Sequence, residues 1–398
     1  MKILFFTQNL PYPTDAGDRL RTRNLIEILN TNYTVHCLFF PKGRRDIKDI
    51  PAFQAICPSD LKYTIIRSTK KRLLNRGYNY FTDPILQRKQ VLIRLKSLLA
   101  DFRPDVVWMD YLFIGQYISV IKSQKIPVIY GTHNSQSDLT RQLAQSKSTF
   151  ILGLPLRLMT FLHHWHEKAF FNQVDRLVCV SNRDKNFHQA FVSPEQIVII
   201  PNFVSLARYD KVVPIKHKFA YICFIGSLDN IQNEKGIKCF VSQIWDIIAA
   251  RVENIYLFII GRGAKEDYEL QQLIASRSNI EVYDNVPSVI PFLKGALVSV
   301  VPLLHGSGTR LKIIESMACR KPIVSTTIGA EGLGAKDGRD IFIADEPKDF
   351  AEKTVKLIHD EKLRNKIGES AYRFVKEKFG FEAVGNIIHQ MIASVGAE

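Results

Sequence analysis

Leu297-Val298-Ser299-Val300-Val301-Pro302, then Leu303-Leu304-His305-Gly306-Ser307-Gly308-Thr309-Arg310, then Leu311-Lys312-Ile313-Ile314-Glu315-Ser316-Met317-Ala318 read as one strand, one glycine-rich loop and one helix. The opening run is almost wholly apolar, the pattern of a parallel strand covered on both faces. Similar runs recur at Lys2–Thr7, Val35–Phe40, Asp105–Met109, Pro127–Thr132, Arg176–Val180 and Ile197–Pro201. They resume at Phe219–Ile225, Ile255–Ile260, Pro322–Ser325 and Ile341–Ala344. Amphipathic stretches such as Arg21–Leu29 and Leu86–Leu99 lie between them. This alternation predicts α/β architecture, with parallel sheets wound by helices on both faces.

The rhythm breaks once. Asn202–Lys218 contains Pro214, several charges and no clear period, and reads as a linker. Two α/β domains are therefore expected, residues 1–204 and 205–380. Residues 381–398 hold a helical stretch, Phe381–Ser394, long enough to pack back on the N-terminal domain. A length of 398 residues agrees with more than one domain.

Composition is ordinary for a globular chain, with 46% hydrophobic and 23% charged residues, but the formal net charge is +15. The excess is uneven. Residues 1–200 hold 28 basic and 15 acidic side chains, a net of +13, which leaves +2 for the remainder. Such asymmetry suggests an acidic partner for the first half. Met1–Asn9 has too short an apolar run for a signal peptide, and the best apolar stretch, Phe150–Leu162, is interrupted by Pro155 and Arg157. Cys37, Cys57, Cys179, Cys223, Cys239 and Cys319 form no CxxC pair. A cytoplasmic protein with reduced thiols is expected.

In open parallel sheets ligands bind at the carboxyl ends of strands, beside helix N-termini. The loop 305–310 has that address. Gly306 and Gly308 permit close backbone approach, Ser307 or Thr309 can cap the helix, and Arg310 and Lys312 place cations where a diphosphate would sit. Glu315 stands where a carboxylate could hold a pair of ribose hydroxyls. The spacing does not match GxxxxGK[ST], which argues against an ATP-hydrolysing P-loop. A glycine-rich turn before a capped, solvent-facing helix is the competing reading, and spacing alone leaves both open.

Other residues are ambiguous taken singly. Pro11–Arg21 follows the first strand and reads as a proline-ordered turn with an Asp-capped helix. His133 ends a strand, where most histidines are merely satisfied polar groups. His163, His164 and His166 crowd one helix, but only His163 and His166 are three apart and no Cys or carboxylate cluster completes a metal set. No Asp-x-Asp pair is present. In the basic half, Arg67, Lys70, Lys71, Arg72 and Arg76 run beside Tyr78, Tyr80 and Phe81, with Arg44 and Arg45 before them. The stretch Ser148–Phe171 mixes bulky apolar residues with Arg157 and Lys168. Basic charge with exposed aromatics suits an anionic membrane surface. A core-facing helix and a solvated basic face would give the same composition. No nucleic-acid reader motif accompanies the charge, so no nucleic-acid partner is expected.

Gly306–Gly332, GSGTRLKIIESMACRKPIVSTTIGAEG, resembles the donor-binding segment of glycosyltransferase family four (group 1), the retaining sugar transferases of GT-B fold. The likeness extends to Ile225-Gly226-Ser227-Leu228-Asp229 with Asn233 and Lys235-Gly236, to Ile259-Ile260-Gly261-Arg262-Gly263, and to Asn285-Val286-Pro287. It includes Asp175–Ser181 with Asp184, and Ile200-Pro201-Asn202. The resemblance implies two Rossmann-like parallel-sheet domains facing a cleft, the N-terminal one for the acceptor and the C-terminal one for a nucleotide sugar. It implies that Gly308, Thr309, Arg310 and Leu311 cradle the diphosphate, that Glu315 holds the ribose and that Val286 meets the base through its backbone. His133 would orient the transferred sugar. Gly17, Arg19, Gly226, Ser227, Lys235, Gly261, Arg262, Ser307 and Lys312 complete the implied donor set, while His133, Arg310 and Glu315 are the implied catalytic residues. Arg67, Lys70, Lys71 and Arg72 are candidates for a membrane or an anionic acceptor.

Three positions depart from the family pattern. Ser307 replaces a glutamate, Ser227 replaces an arginine and leaves Lys235 as the expected diphosphate cation, and Phe203 replaces a glycine. The implied reaction is front-face displacement with retention, without metal or cofactor, moving sugar from a UDP- or GDP-sugar to a glycan or lipid-linked acceptor. That places it in cell-surface polysaccharide or glycolipid synthesis, in the cytoplasm or at the inner face of the membrane. A nucleotide-sugar epimerase and a non-catalytic scaffold of the same fold are alternatives. An NAD-dependent dehydrogenase is disfavoured, because no GxGxxG follows the first strand.

Overall fold

A computed structural model of the chain describes residues 1–8, 10–12, 17–40, 44–66, 84–145, 150–305 and 310–396. They form two compact units: Met1–Ile200 together with Ile387–Glu398, and Pro201–Asn386.

The first unit is built on a seven-stranded parallel sheet: β1 (Lys2–Thr7), β2 (Thr34–Phe39), β3 (Lys62–Ile65), β4 (Val106–Asp110), β5 (Val128–Gly131), β6 (Arg176–Cys179) and β7 (Ile197–Ile199). Their order is β3-β2-β1-β4-β5-β6-β7. The chain therefore reverses direction across the sheet between β1 and β4, where Thr7 lies beside Asp110. A doubly wound sheet opens a crevice at such a switch point. Leu4, Phe6, Met109 and Tyr130 face one core layer, which Phe171 and Ile118 close from the helices.

The second unit repeats the plan with β8 (Tyr221–Ile225), β9 (Tyr256–Ile260), β10 (Ile280–Tyr283), β11 (Ser299–Val301), β12 (Ile323–Ser325) and β13 (Phe342–Ile343), ordered β10-β9-β8-β11-β12-β13. Its switch point lies between β8 and β11. Along β8, Cys223 and Ile225 enter one core layer and Ile222 and Phe224 the other. Alternate residues point to opposite faces and both faces are dry, so the strand has no polar alternation.

Two features depart from the sequence expectations. β3 and β10 lie at the sheet edges, only partly buried, and their polar residues Lys62, Thr64 and Glu281 obscured the strand pattern. The segment read as a linker is structured: it carries the helix Leu206–Asp210, and Phe203, Val204 and Tyr209 are buried within the second unit. Five residues of helix are too few to show a period. The last helix runs Phe381–Gly396, and its part from Ile387 belongs to the first unit, where His389 hydrogen-bonds Asn32 and Tyr33 at 2.9 and 3.0 Å. Among the described residues no helix is long and apolar enough to cross a membrane.

Candidate active site

In the first unit the chemistry gathers at the ends of β4 and β5. Asp110 closes β4, fully buried, and its Oδ2 lies 2.9 Å from His133 Nε2. Thr22 Oγ1, from the helix Gly17–Asn32, donates to the same oxygen at 3.3 Å. The other carboxylate oxygen makes no hydrogen bond. Gly131 admits this cluster: a Cβ there would stand 2.8 Å from Asp110 Oδ1 and 3.2 Å from Trp108 Nε1. Tyr111 follows at φ +90°, a conformation that non-glycine residues adopt only under constraint. It lays its ring 4.4 Å from that of His133, centroid to centroid, and donates its hydroxyl to Asp18 at 2.7 Å. His133 is thus fixed by a carboxylate at Nε2 and an aromatic ring beside it.

The turn that carries His133 is clamped from behind. Glu167 accepts hydrogen bonds from Gln136 N at 2.7 Å, from Ser137 N at 3.3 Å and from the Ser137 hydroxyl. The helix Gln136–Gln145 therefore begins on a buried carboxylate, which favours its positive end. Asp184 accepts from Ser135 N at 3.2 Å and from Ser181, whose own oxygen caps the helix Asn182–His188. Burial raises both acids, Glu167 to about 7. Arg21, wholly buried, donates to Ile200 O at 2.8 Å, and loss of water lowers its guanidinium to about 10 in spite of Asp110 and Asp184.

Other first-unit expectations fare differently. Gly17 is exposed at the first turn of its helix, but Arg19 is only 4% exposed and its guanidinium pairs with Asp49 at 2.6 Å. A side chain so held braces the helix. Arg67, Lys70, Lys71 and Arg72 lie outside the described residues. His163 is buried, His166 stacks on Phe170 and His164 meets Phe187 and Phe191 edge-on. Among the described residues no three His, Cys, Asp or Glu side chains gather as a metal would need.

In the second unit the turns after β8 and β9 touch. Gly226 N donates to Ile260 O and Leu228 N to Arg262 O, and a Cβ on Gly261 would fall 1.9 Å from Gly226 O. Only glycine permits that approach. Arg262 forms an ion pair with Asp229, across Gly263 at φ +81°. Ser227 is tied through its carbonyl to Asn233 Nδ2 at 2.8 Å.

Lys312 is the residue that the structure brings to this loop. Its ammonium donates to Asn233 Oδ1 at 2.6 Å, lies 4.8 Å from the Phe224 ring centre, and would stand 2.8 Å from a Cβ on Gly226. Lys235, the cation expected there, is exposed on the helix Ile231–Phe240. Lys312 projects from the first turn of the helix Leu311–Ala318, whose N-cap is Arg310; among the described residues no side chain caps it. Ser307 and Thr309, the expected capping residues, lie outside the described residues with Gly306 and Gly308.

Burial pulls Lys312 down to about 7, assisted by Arg310 and opposed by Glu315. One turn further, Glu315 accepts from Tyr209 Oη at 3.1 Å, and burial raises it to about 7. Tyr209 sits in the segment read as a linker, which is why sequence reasoning missed it. Leu311 and Val286 pack on the core layer below, and Asn285, just before Val286, has φ +51°. Asp110, Tyr111 and Tyr209 are the members that the sequence did not reveal; Asn233 entered only through the resemblance. Asp110 could have been found as the lone carboxylate ending an apolar strand.

Two family models match the chain, Glycosyltransferase Family 4 over residues 33–208 and Glycosyl transferases group 1 over residues 220–360. An uncharacterized glycosyltransferase of Methanocaldococcus jannaschii is 28% identical over 96% of this chain and 95% of its own. The capsular polysaccharide biosynthesis glycosyltransferase CapM of Staphylococcus aureus is 28% identical over 42% of this chain and 45% of its own. Among solved structures, Anabaena HepE in complex with UDP-glucose superposes with a TM-score of 0.69 at 16% identity, covering 99% of this chain and 100% of HepE. With these matches and two wound parallel sheets, the chain belongs to glycosyltransferase family four, the group 1 transferases, and has the GT-B fold.

Proposed function

We propose that this glycosyltransferase takes a sugar from a nucleoside diphosphate sugar and transfers it, with retention of configuration, to a glycan or lipid-linked acceptor in polysaccharide or glycolipid synthesis. The observation that carries the reading is the placement of Lys312 against Gly226 and Asn233, with Arg310 at the N-terminus of the same helix. Two cations and a helix N-terminus at a switch point match a diphosphate. Glu315, held by Tyr209, supplies an acceptor for ribose hydroxyls. The likeness to CapM, named for capsular polysaccharide, and to HepE, solved with UDP-glucose, supports the substrate class.

In this reading bond cleavage between the anomeric carbon and the donor phosphate oxygen leaves negative charge on the diphosphate. Lys312, Arg310 and the helix N-terminus stabilise that charge as it develops. The departing phosphate oxygen takes the acceptor proton, so no protein nucleophile is required. His133, oriented by Asp110, meets the transferred sugar. Fixed cations supply the neutralisation that a metal supplies elsewhere, and chelation with EDTA is expected to leave turnover unchanged.

The test is a panel of UDP- and GDP-sugars screened by thermal shift and by product chromatography with and without acceptor. Stabilisation by one nucleotide family and acceptor-dependent sugar transfer are expected. Conversion of donor sugar without acceptor would identify an epimerase instead, and the absence of any nucleotide binding would overturn the reading.

A further inference from the structure

The helix Phe150–Phe171 carries an apolar face that, among the described residues, nothing covers. Leu158, Phe161 and Trp165 are 59, 66 and 58% exposed. At 100° per residue these three positions fall within about 60° of one another, and they extend about 10 Å along the helix. The opposite face carries His163, Glu167 and Phe171, all buried, with Glu167 gripping the start of the helix Gln136–Gln145. The helix is therefore fastened to the core by one side and presents aromatic and aliphatic side chains to solvent on the other. A merely core-facing helix would have its bulky residues at 163, 167 and 171 only.

Charge selects the partner. Arg157 and Lys168 are exposed beside the stripe, and the sole acidic residue of this helix, Glu167, faces inward. The unit that bears it is the strongly basic one, with 28 basic against 15 acidic side chains in residues 1–200. Apolar residues including Trp at the centre and cations at the margins are the composition of a helix lying in the headgroup region of an anionic bilayer. We propose that this face docks the protein on an anionic lipid surface, with Leu158, Phe161 and Trp165 entering the acyl boundary and Arg157 and Lys168 meeting phosphate headgroups. The proposal does not depend on which sugar the enzyme transfers, or on whether it transfers one.

The chain contains its own reporter. Of its three tryptophans, Trp108 and Trp245 are wholly buried and Trp165 is exposed. Tryptophan emission of the full chain should therefore shift to the blue when vesicles of phosphatidylcholine and phosphatidylglycerol are added, and brominated acyl chains should quench it. The paired change Leu158→Ser, Phe161→Ser should weaken partitioning about tenfold or more, and Lys168→Gln should reduce its dependence on phosphatidylglycerol. Far-UV circular dichroism and thermal unfolding of the variants check that the fold is kept. The proposal is overturned if wild-type emission is unchanged by anionic vesicles, or if pure phosphatidylcholine vesicles bind as well. It is also overturned if the stripe instead mediates self-association, seen as a concentration-dependent dimer that the paired change dissolves in the absence of any vesicle binding.

Discussion

Lys312 is a cation kept in poor solvent for a charge. Burial lowers it from the ordinary lysine value to about 7, so near neutrality it is only partly protonated unless an anion binds beside it. A bound diphosphate would restore its value upward, and binding must then take up a proton. Nucleotide-sugar affinity should accordingly fall as pH rises from 7 to 9, by up to about tenfold per unit, because the diphosphate diester does not titrate there. Calorimetry in buffers of different ionisation enthalpy measures the uptake directly. Lys312→Met should abolish it and weaken donor binding about a hundredfold, whereas Glu315→Gln should retain it. A pH-independent affinity in the wild type would remove Lys312 from the diphosphate.

Asp110 is the second residue whose role the geometry defines. Among the described residues its carboxylate hydrogen-bonds His133 and Thr22, so it is a positioning residue. Asp110→Asn keeps the shape and removes the charge that fixes the ring. A fall in kcat of roughly 10- to 100-fold with little change in donor KM is expected, from loss of one charge-assisted hydrogen bond. His133→Ala should lose as much, and the double variant no more than the worse single one, since both act through one ring. Additive losses would separate the two residues.

At the scale of elements, the turn after β5 rests on Glu167, an acid raised to about 7 by burial. The unfolded chain ionises this group near 4.5, well before the folded one. Its contribution to stability is therefore complete below about pH 4.5 and is lost as pH rises through 7. Glu167→Gln, which can keep the bonds to Gln136 and Ser137, should flatten that decline between pH 5 and 8 by on the order of 1–3 kcal/mol. Chemical unfolding across that range measures it; parallel curves for the two proteins would count against the assignment.

Elements also show what the sequence made legible. Strands such as Lys2–Thr7 and Tyr221–Ile225, dry on both faces, announce themselves as unbroken apolar runs. The edge strands β3 and β10 do not, because one side faces water and admits Lys62 and Glu281. The loop before Leu311 was readable from its glycines and cations, but the partners of those cations come from far along the chain. Asn233 lies 79 positions from Lys312, and Tyr209 lies 106 from Glu315. Spacing cannot reveal contacts that only the crossover connections create. The exchange of Lys235 for Lys312 has the same origin: the helix Ile231–Phe240 turns Lys235 outward, and the helix Leu311–Ala318 turns Lys312 in.

For the whole molecule, the last helix matters out of proportion to its length. Residues from Ile387 complete the first unit from the far end of the chain, and Ile388, Met391, Ile392 and Val395 are all buried. Tyr33 and Asn32 meet His389, and Arg176 donates to Ser394 at 3.3 Å. Ending the chain at Asn386 removes four buried apolar side chains, at about 1.5–3 kcal/mol each before relaxation. That is comparable to the entire stability of a domain. The same unit carries a net charge of +13 in its first 200 residues, and self-repulsion adds to its dependence on the helix. The shortened protein should therefore lose the first unit's thermal transition at low ionic strength while residues 201–386 keep theirs. Limited proteolysis should release peptides from Met1–Ile200 first, and added salt should recover part of the loss by screening like charges. Equal protection of both units after truncation would show that the first unit closes its core without the helix.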